Sequence, residues 1–199
     1  MTHRAHALRL VQERGIARAR DFKEAGIPLV YLKRMVDAGV LVRLGRGLYQ
    51  APERVGEDVA HDLAQAARLV PHGVISLISA LRHHQLTTQL PNAVWMTIPH
   101  KARTPCVRGL QLEIVRATDD VMTAGIDYIC VEGVDVPIYC VAKTVADCFK
   151  HRRLIGEDVA IEALRDALRR RKATVSELMK YASIDRVTER VGSYIKAME

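Results

Sequence analysis

Basic side chains are concentrated near the start of the chain. Residues 1–54 contain 11 Lys or Arg and 5 Asp or Glu, so this segment carries +6 of the formal net charge of +7. Neutralising phosphates and releasing their counterions is the main non-specific contribution to DNA affinity. The asymmetry therefore favours a polyanionic partner for this segment. The side chains that could contact such a partner are Arg18, Arg20, Lys23, Val30, Tyr31, Lys33, Arg34, Arg43 and Arg46.

The pattern around these residues predicts two short helices joined by a tight turn. Arg18–Ala25 reads as a short amphipathic helix, and Gly26 is suited to the left-handed conformation that ends a helix. Pro28 follows where the first turn of a second helix tolerates a missing N–H. The apolar residues spaced as one packed face of that second helix are Leu32, Met35 and Val36. The segment therefore predicts a helix-turn-helix whose other face is exposed.

A hairpin is predicted directly after the second helix. Gly39 would end the helix, and the apolar runs Val40–Leu44 and Leu48–Gln50 flank a turn with two glycines. Arg43 and Arg46 would project from this wing. In a winged helix-turn-helix the second helix enters the major groove. Short helix pairs followed by a hairpin also occur in domains that bind only protein, and that alternative stays open.

Roles within the candidate set follow from side-chain chemistry. The expected base-contacting residues are Tyr31, Lys33 and Arg34, with Val30 as a contact for a thymine methyl group. The residues expected to hold phosphates are Arg18, Arg20, Lys23, Arg43 and Arg46. The expected partner is double-stranded DNA.

The rest of the chain predicts a larger α+β domain. We expect a winged helix-turn-helix domain at residues 1–54 and a second domain at residues 55–199, containing a small, mainly antiparallel sheet and several helices. The predicted strands are Ala93–Ile98, Leu110–Arg116, Tyr128–Val131 and Val136–Val141. The predicted helices are Asp58–Leu69, Ser76–His84, Lys143–Lys150, Glu157–Arg171, Val175–Tyr181 and Val187–Met198.

Motifs for catalysis or cofactor binding are not found in the sequence. It has no P-loop, dinucleotide-binding, zinc-protease or nucleophile-elbow pattern, and its four cysteines lack metal-ligand spacing. We therefore expect no enzyme activity, cofactor or metal, and we interpret Asp147 as a hydrogen-bonding anchor. An enzyme acting on nucleotides or RNA, with carboxylates or histidines gathered in one cleft of the second domain, is the alternative.

Membrane and export signals are also not found. No apolar run approaches the roughly 18 residues that span a bilayer, and the N-terminal sequence lacks the apolar core of a signal peptide. We expect a cytoplasmic protein with free thiols.

Longer stretches of the chain resemble one protein family. The segment GIPLVYLKRMVDAGVLVRLGRGLY is similar to the winged-helix domain of the AbiE-type antitoxins. The segments VISLISALRHHQLT, LPNAVWMTIP and PIYCVAKTVADCFKHRR, in that order, resemble the C-terminal domain of the same family.

This resemblance implies a transcriptional repressor of its own type IV toxin-antitoxin (abortive-infection) operon. Its first domain would bind promoter DNA and its second would supply the antitoxin activity. The implied functional partner is a nucleotidyltransferase-like toxin, opposed without a stable complex. An orphan regulator without a toxin partner would have the same architecture.

Overall fold

The computed structural model of the chain describes residues 2–45, 47–54, 60–105 and 110–198. Two compact units are present. The first contains residues 1–71, 105–111 and 129–136, and the second contains residues 72–104, 112–128 and 137–199. The domain boundary predicted after residue 54 borders residues 55–59, which lie outside the described residues. Because a compact unit need not fold independently, that boundary stays a prediction.

The first unit opens with a helix, a strand, two helices and a hairpin. Its elements are α1 (His3–Arg14), β1 (Ala17–Arg18), α2 (Ala19–Glu24), α3 (Leu29–Asp37), β2 (Val42–Gly45), β3 (Leu48–Gln50) and α4 (His61–Leu69). The three strands form an antiparallel sheet in the order β1-β3-β2. The two short helices and the hairpin follow one another in the predicted order, with β1 as an unpredicted addition. A strand of two residues has no periodicity by which a sequence could reveal it.

Local chemistry explains where these helices begin and end. Thr2 Oγ1 accepts a hydrogen bond from the Ala5 N–H at 3.3 Å and caps α1. Gly26 and Gly39 have φ values of 74° and 67°, so both take the left-handed conformation predicted for them. The core between the helices is formed by Leu10, Phe22, Ile27, Leu32, Met35 and Leu41.

The second unit combines a sheet with helices. Its elements are β4 (Val74–Ile75), α5 (Leu77–His83), β5 (Val94–Pro99), β6 (Leu112–Ala117), α6 (Asp119–Thr123), β7 (Ile126–Val131), β8 (Val134–Tyr139), α7 (Val141–Lys150), α8 (Arg152–Ile155), α9 (Glu157–Arg169), α10 (Val175–Ile184) and α11 (Thr188–Lys196). Residues 129–136, at the turn of the β7–β8 hairpin, belong to the first unit. The α+β class is thus confirmed.

The five-stranded sheet, in the order β6-β5-β4-β8-β7, is mixed. β5 pairs with β6 and β4 pairs with β8 in parallel, whereas β4 and β5 are antiparallel. The prediction of a mainly antiparallel sheet was therefore wrong. Alternation along the chain identifies a strand, but the direction of its partner depends on the crossovers between strands.

Helix α7 lies at the centre of the second unit and is buried along most of its length. Phe149 on α7 packs with Leu164, Leu178 and Val191 from α9, α10 and α11. Lys143, which is fully buried on α7, donates hydrogen bonds to Asp147 and Asp185. The role predicted for Asp147 as a hydrogen-bonding anchor agrees with this contact. No helix within the described residues is long and apolar enough to cross a bilayer.

Candidate nucleic-acid interface

Helix α3 has a packed face and an exposed face. Leu32 and Met35 are 1% and 6% exposed, as the predicted apolar face requires. Lys33 and Arg34 are exposed on the other side. Pro28 is the extended residue immediately before the helix, so its missing N–H removes no helical hydrogen bond. The cationic side chains of α3 therefore point away from the core that fixes the helix.

Two apolar side chains at the start of α3 are exposed. Val30 is 60% exposed and Leu29 is 49% exposed. Apolar side chains in this position can contact thymine methyl groups. Val30 was a sequence candidate, whereas Leu29 was missed because a leucine beside a helix start usually indicates core.

The Tyr31 ring has an aromatic neighbour, His3, and a cationic neighbour, Arg34. Its ring centroid lies 4.9 Å from that of His3, and the Arg34 guanidinium carbon lies 5.5 Å from the Tyr31 centroid. Tyr31 also packs against the apolar core of the first unit. A cation over an aromatic face is attracted to it, so Tyr31 restricts the orientation of Arg34. This placement favours a supporting role for Tyr31, and its groove contact stays a prediction.

The candidate arginines at the start of α2 surround a buried carboxylate. Asp21 Oδ2 accepts a hydrogen bond from the Arg18 N–H at 2.7 Å and thereby caps α2. Asp21 Oδ1 lies 3.2 Å from an Arg14 nitrogen and 3.8 Å from Arg20 Nε. Burial lowers the pKa of the Arg18 guanidinium most, and the nearby Arg20 lowers it further. Asp21 opposes this shift. The structure therefore brings Arg18 and Arg20 together and compensates part of their charge.

The remaining cation on α2 is more available. Lys23 is exposed, and it forms no ion pair within the described part of the chain. The Arg20 side chain is also 66% exposed despite its contact with Asp21. Both side chains could therefore reach a phosphate from α2.

Arg14 and Arg68 extend this basic cluster, and neither was in the candidate set. An Arg68 terminal nitrogen donates a hydrogen bond to the Arg14 carbonyl oxygen at 2.9 Å. Burial lowers the pKa of Arg68, while Asp21 opposes that shift. Arg68 Nε is buried without an acceptor among the described residues. Arg68 lies beyond the predicted first domain, so no local signal connected it to the site.

The wing carries Arg43 on β2. Arg43 is exposed, and its Nε donates a hydrogen bond to the Gly45 carbonyl oxygen at 3.1 Å. Arg18 pairs with Leu48 in the β1–β3 ladder, so the start of α2 lies against the wing. Arg46, the other candidate on the wing, lies outside the described residues.

Potential metal ligands do not gather among the residues that the structure describes. These residues contain no group of three or more His, Cys, Asp or Glu side chains able to hold an ion. Cys130, Cys140 and Cys148 are free thiols, and Cys106 lies outside the described residues.

A solved structure shares the fold of this chain. The crystal structure of the RV2827C protein from Mycobacterium tuberculosis aligns with a TM-score of 0.59 and 14% sequence identity, covering 92% of this chain and 72% of that chain. At this identity the similarity concerns the fold alone. No curated protein matched the sequence significantly.

A family model matches the first part of the chain. The match covers residues 7–52, which include all nine candidate residues, and the model is described as a transcriptional regulator, AbiEi antitoxin. Over this segment the chain is therefore similar to the AbiEi antitoxin regulators, and the resemblance noted from the sequence is confirmed there.

Proposed function

We propose that this chain is a DNA-binding transcriptional repressor and antitoxin of an AbiE-type (type IV) toxin-antitoxin system that represses its own operon. The observation that carries the proposal is the exposed face of α3. There Val30, Lys33 and Arg34 project from a helix whose opposite face is anchored by Leu32 and Met35. A recognition helix needs this combination of a fixed axis and free polar side chains.

The surrounding cations support DNA as the ligand. Arg18, Arg20 and Lys23 lie at the start of and along α2, and Arg43 lies on the wing. Phosphate contacts from such positions fix the register of a protein on a duplex without reading sequence. Arg46, which lies outside the described residues, is proposed to act in the same way.

The regulatory part of the proposal draws on the family match. The model that matches residues 7–52 describes transcriptional regulators. We propose a nucleotidyltransferase-like toxin as the functional partner, opposed without a stable complex, and action in the cytoplasm, where promoter DNA is found. In this proposal the chain acts by binding and not as an enzyme, and it needs no cofactor.

DNA binding can be tested with the full chain and its own upstream DNA. Fluorescence anisotropy should show tighter binding to that fragment than to a scrambled duplex of equal composition, with affinity falling steeply as salt rises. A double variant, Arg34→Ala with Arg43→Ala, should lose the preference and most of the affinity. Arg165→Ala with Arg171→Ala removes the same charge from exposed positions of the second unit and should bind as wild type does.

Two outcomes of this experiment would reject a DNA-binding function. One is equal, salt-tolerant affinity of the wild type for both duplexes. The other is a double variant that binds as tightly as the wild type. Either result would favour a protein-interaction module.

The antitoxin part needs a separate test. The chain should restore growth when it is expressed with a nucleotidyltransferase encoded beside it, without co-purifying with that protein. Operator binding without growth rescue would instead identify an orphan regulator. A stable co-purified complex would contradict the type IV mechanism.

A further inference from the structure

The second unit contains a cavity of about 750 Å³ that is widely open to solvent and whose wall carries three arginines. Arg152 comes from α8, Arg186 from the α10–α11 connection and Arg190 from α11. Glu189 is the acidic residue of the wall, while Thr188 and Ser193 contribute hydroxyl groups. The lining is therefore cationic overall and rich in hydrogen-bond donors.

Contacts within the protein orient two of these arginines. An Arg190 terminal nitrogen lies 2.8 Å from Glu157 Oε1, which also accepts a hydrogen bond from the Tyr194 hydroxyl at 3.3 Å. An Arg152 terminal nitrogen donates to the Phe149 carbonyl oxygen at 3.1 Å. Each guanidinium has five N–H donors, so both retain donors for a ligand.

Within the described part of the chain, no such contact orients the Arg186 side chain, but the residue before it is anchored. It follows Asp185, whose buried carboxylate accepts hydrogen bonds from Lys143 at 3.0 Å and Lys150 at 3.3 Å. The Arg186 side chain has no hydrogen bond or ion pair within the described residues. The anchored aspartate thus fixes the backbone next to an uncompensated guanidinium on the cavity wall.

The backbone of Arg186 is in the left-handed region, with φ at 58°. Glycine is the residue that most readily takes this conformation after a helix, and a side chain there is disfavoured. The chain nevertheless has an arginine at this position.

From this arrangement we propose that the cavity binds a small di- or triphosphate anion, such as a nucleotide. Planar guanidinium groups match phosphate oxygens with paired hydrogen bonds. The volume falls within the range of small-molecule sites, which is about 300–1,000 Å³. Arg186 and Arg190 bind the phosphates, and Tyr194 offers a ring for the remainder of the ligand. The Ser193 hydroxyl donates to the Glu189 carbonyl oxygen at 2.7 Å and so is not counted as a donor to the ligand. This site is independent of the DNA-binding proposal, because all its residues belong to the second unit.

Calorimetric titration of the full chain tests the site. The probes are pyrophosphate, ATP, GTP and the nucleoside adenosine, at about physiological ionic strength to screen weak surface attraction. Pyrophosphate and at least one triphosphate should bind with saturation, and adenosine should not. Arg186→Gly should lower the affinity for the phosphate probes at least about tenfold, because hydrogen bonds to charged groups contribute that much to binding.

Arg171 provides a matched control. It is exposed, it follows α9 with φ at 53°, and it is not part of the cavity wall. Arg171→Gly therefore makes the same chemical change in the same backbone conformation and should leave binding unchanged. The pair Arg186→Asn and Arg171→Asn repeats the comparison with a second residue tolerated at positive φ. Melting curves verify that each variant is folded.

Three results would overturn the proposal. The wild type could fail to bind pyrophosphate and both triphosphates below millimolar concentrations. The Arg171 variants could lose as much affinity as the Arg186 variants, which would indicate non-specific charge attraction. Folded Arg186 variants could also bind as tightly as the wild type. DNA affinity measured on the same variants distinguishes failure of this site from failure of the proposed regulator.

Discussion

At the scale of single residues, the conformation of Arg34 depends on a neighbour on its own helix. The guanidinium lies over Tyr31, whose ring in turn contacts His3 of α1. An arginine with a restricted orientation loses less side-chain entropy when it forms paired hydrogen bonds with a base. The stacked arrangement therefore favours Arg34 as a residue that reads sequence.

Replacing Arg34 should relax base preference. Arg34→Ala removes a potential contact to one base pair, which is typically worth about 1–3 kcal/mol of discrimination. The measurement is the affinity for a panel of single-base operator variants. Base preference should be lost at one position of the operator and retained at the other positions. Arg9→Ala, an exposed change on α1, is the control and should keep the full preference. An unchanged base preference in Arg34→Ala would show that Arg34 does not contact bases.

Replacing Arg43 should weaken binding to all DNA sequences by a similar factor. Arg43→Ala removes one expected phosphate contact from the wing, so affinity should fall by a similar factor for operator and scrambled DNA. The slope of log affinity against log salt should decrease by about one unit. Arg165→Ala removes the same charge from α9 and should leave the slope unchanged. A selective loss on operator DNA would mean that Arg43 contacts bases.

At the scale of elements, the turn of the β7–β8 hairpin packs within the first unit. Glu132 on this turn accepts a hydrogen bond from the Gln50 side chain on β3, and its carboxylate lies 2.9 Å from His61 Nδ1 on α4. Gly15, between α1 and β1, has φ at 65°, and an added Cβ would overlap the Glu132 carbonyl oxygen. The N-terminal helices and hairpin of the first unit thus pack with residues distant in sequence.

Gly15→Ala should therefore destabilise the first unit more than a comparable change elsewhere. The variant places a side chain at a backbone conformation that disfavours one, with φ at 65° and ψ at −84°, and adds a backbone overlap. We therefore expect a loss of about 3 kcal/mol in the free energy of unfolding. Gly39→Ala is the control, because Gly39 has a similar φ of 67° with nothing within 4 Å of an added Cβ. It should lose only about 1 kcal/mol. Urea unfolding measures both, and equal losses would show that the hairpin turn does not pack against Gly15 in solution.

At the scale of the whole molecule, the two units place their charged side chains differently. The first unit exposes cations such as Lys23 and Lys33, whereas the second unit buries Lys143 with Asp147 and Asp185. Burial raises the pKa of Asp147 to about 7, Lys143 opposes this rise, and Asp185 adds to it. The other titratable groups close to the cluster are Tyr139, Cys148, Lys150 and His151. Stability of the second unit should therefore depend on pH through this cluster.

The sign of that dependence follows from the raised pKa. Asp147 in the unfolded chain should titrate near its ordinary value of 3.8. Between about pH 4 and pH 7 the folded state keeps a proton that the unfolded state has released, so raising the pH favours unfolding. Asp147→Asn cannot titrate, and the stability of the wild type relative to this variant should fall as pH rises through that window. Urea unfolding at several pH values measures the difference.

The control for this pH series is an exposed carboxylate. Asp158→Asn on α9 removes a carboxylate from an exposed position and should show no such trend relative to the wild type. If the difference between wild type and Asp147→Asn stays constant across the series, Asp147 is ionised in the fold, and Lys143 compensates its burial fully.

Much of the secondary structure could be predicted from the sequence, because it depends on local chemistry. Gly26 and Gly39 end their helices where a residue without a side chain is favoured, and Leu32 and Met35 mark the packed face of α3 by their spacing. The excess of positive charge before residue 55 also follows from the sequence alone. The α+β class could be predicted for the same reason.

Only the tertiary structure decided which distant residues meet. The contact of His3 with Tyr31, the addition of Arg68 to the basic cluster and the packing of Glu132 with His61 join segments with no shared local pattern. The parallel direction of β5 and β6 depends on chain crossovers. The sequence by itself therefore determined the two short helices, the hairpin and the nine candidate residues of the first unit, whereas side-chain packing across the fold decided their surroundings. The physical reason is that helices and turns depend on neighbouring residues, and contacts between distant segments form only when the whole core closes.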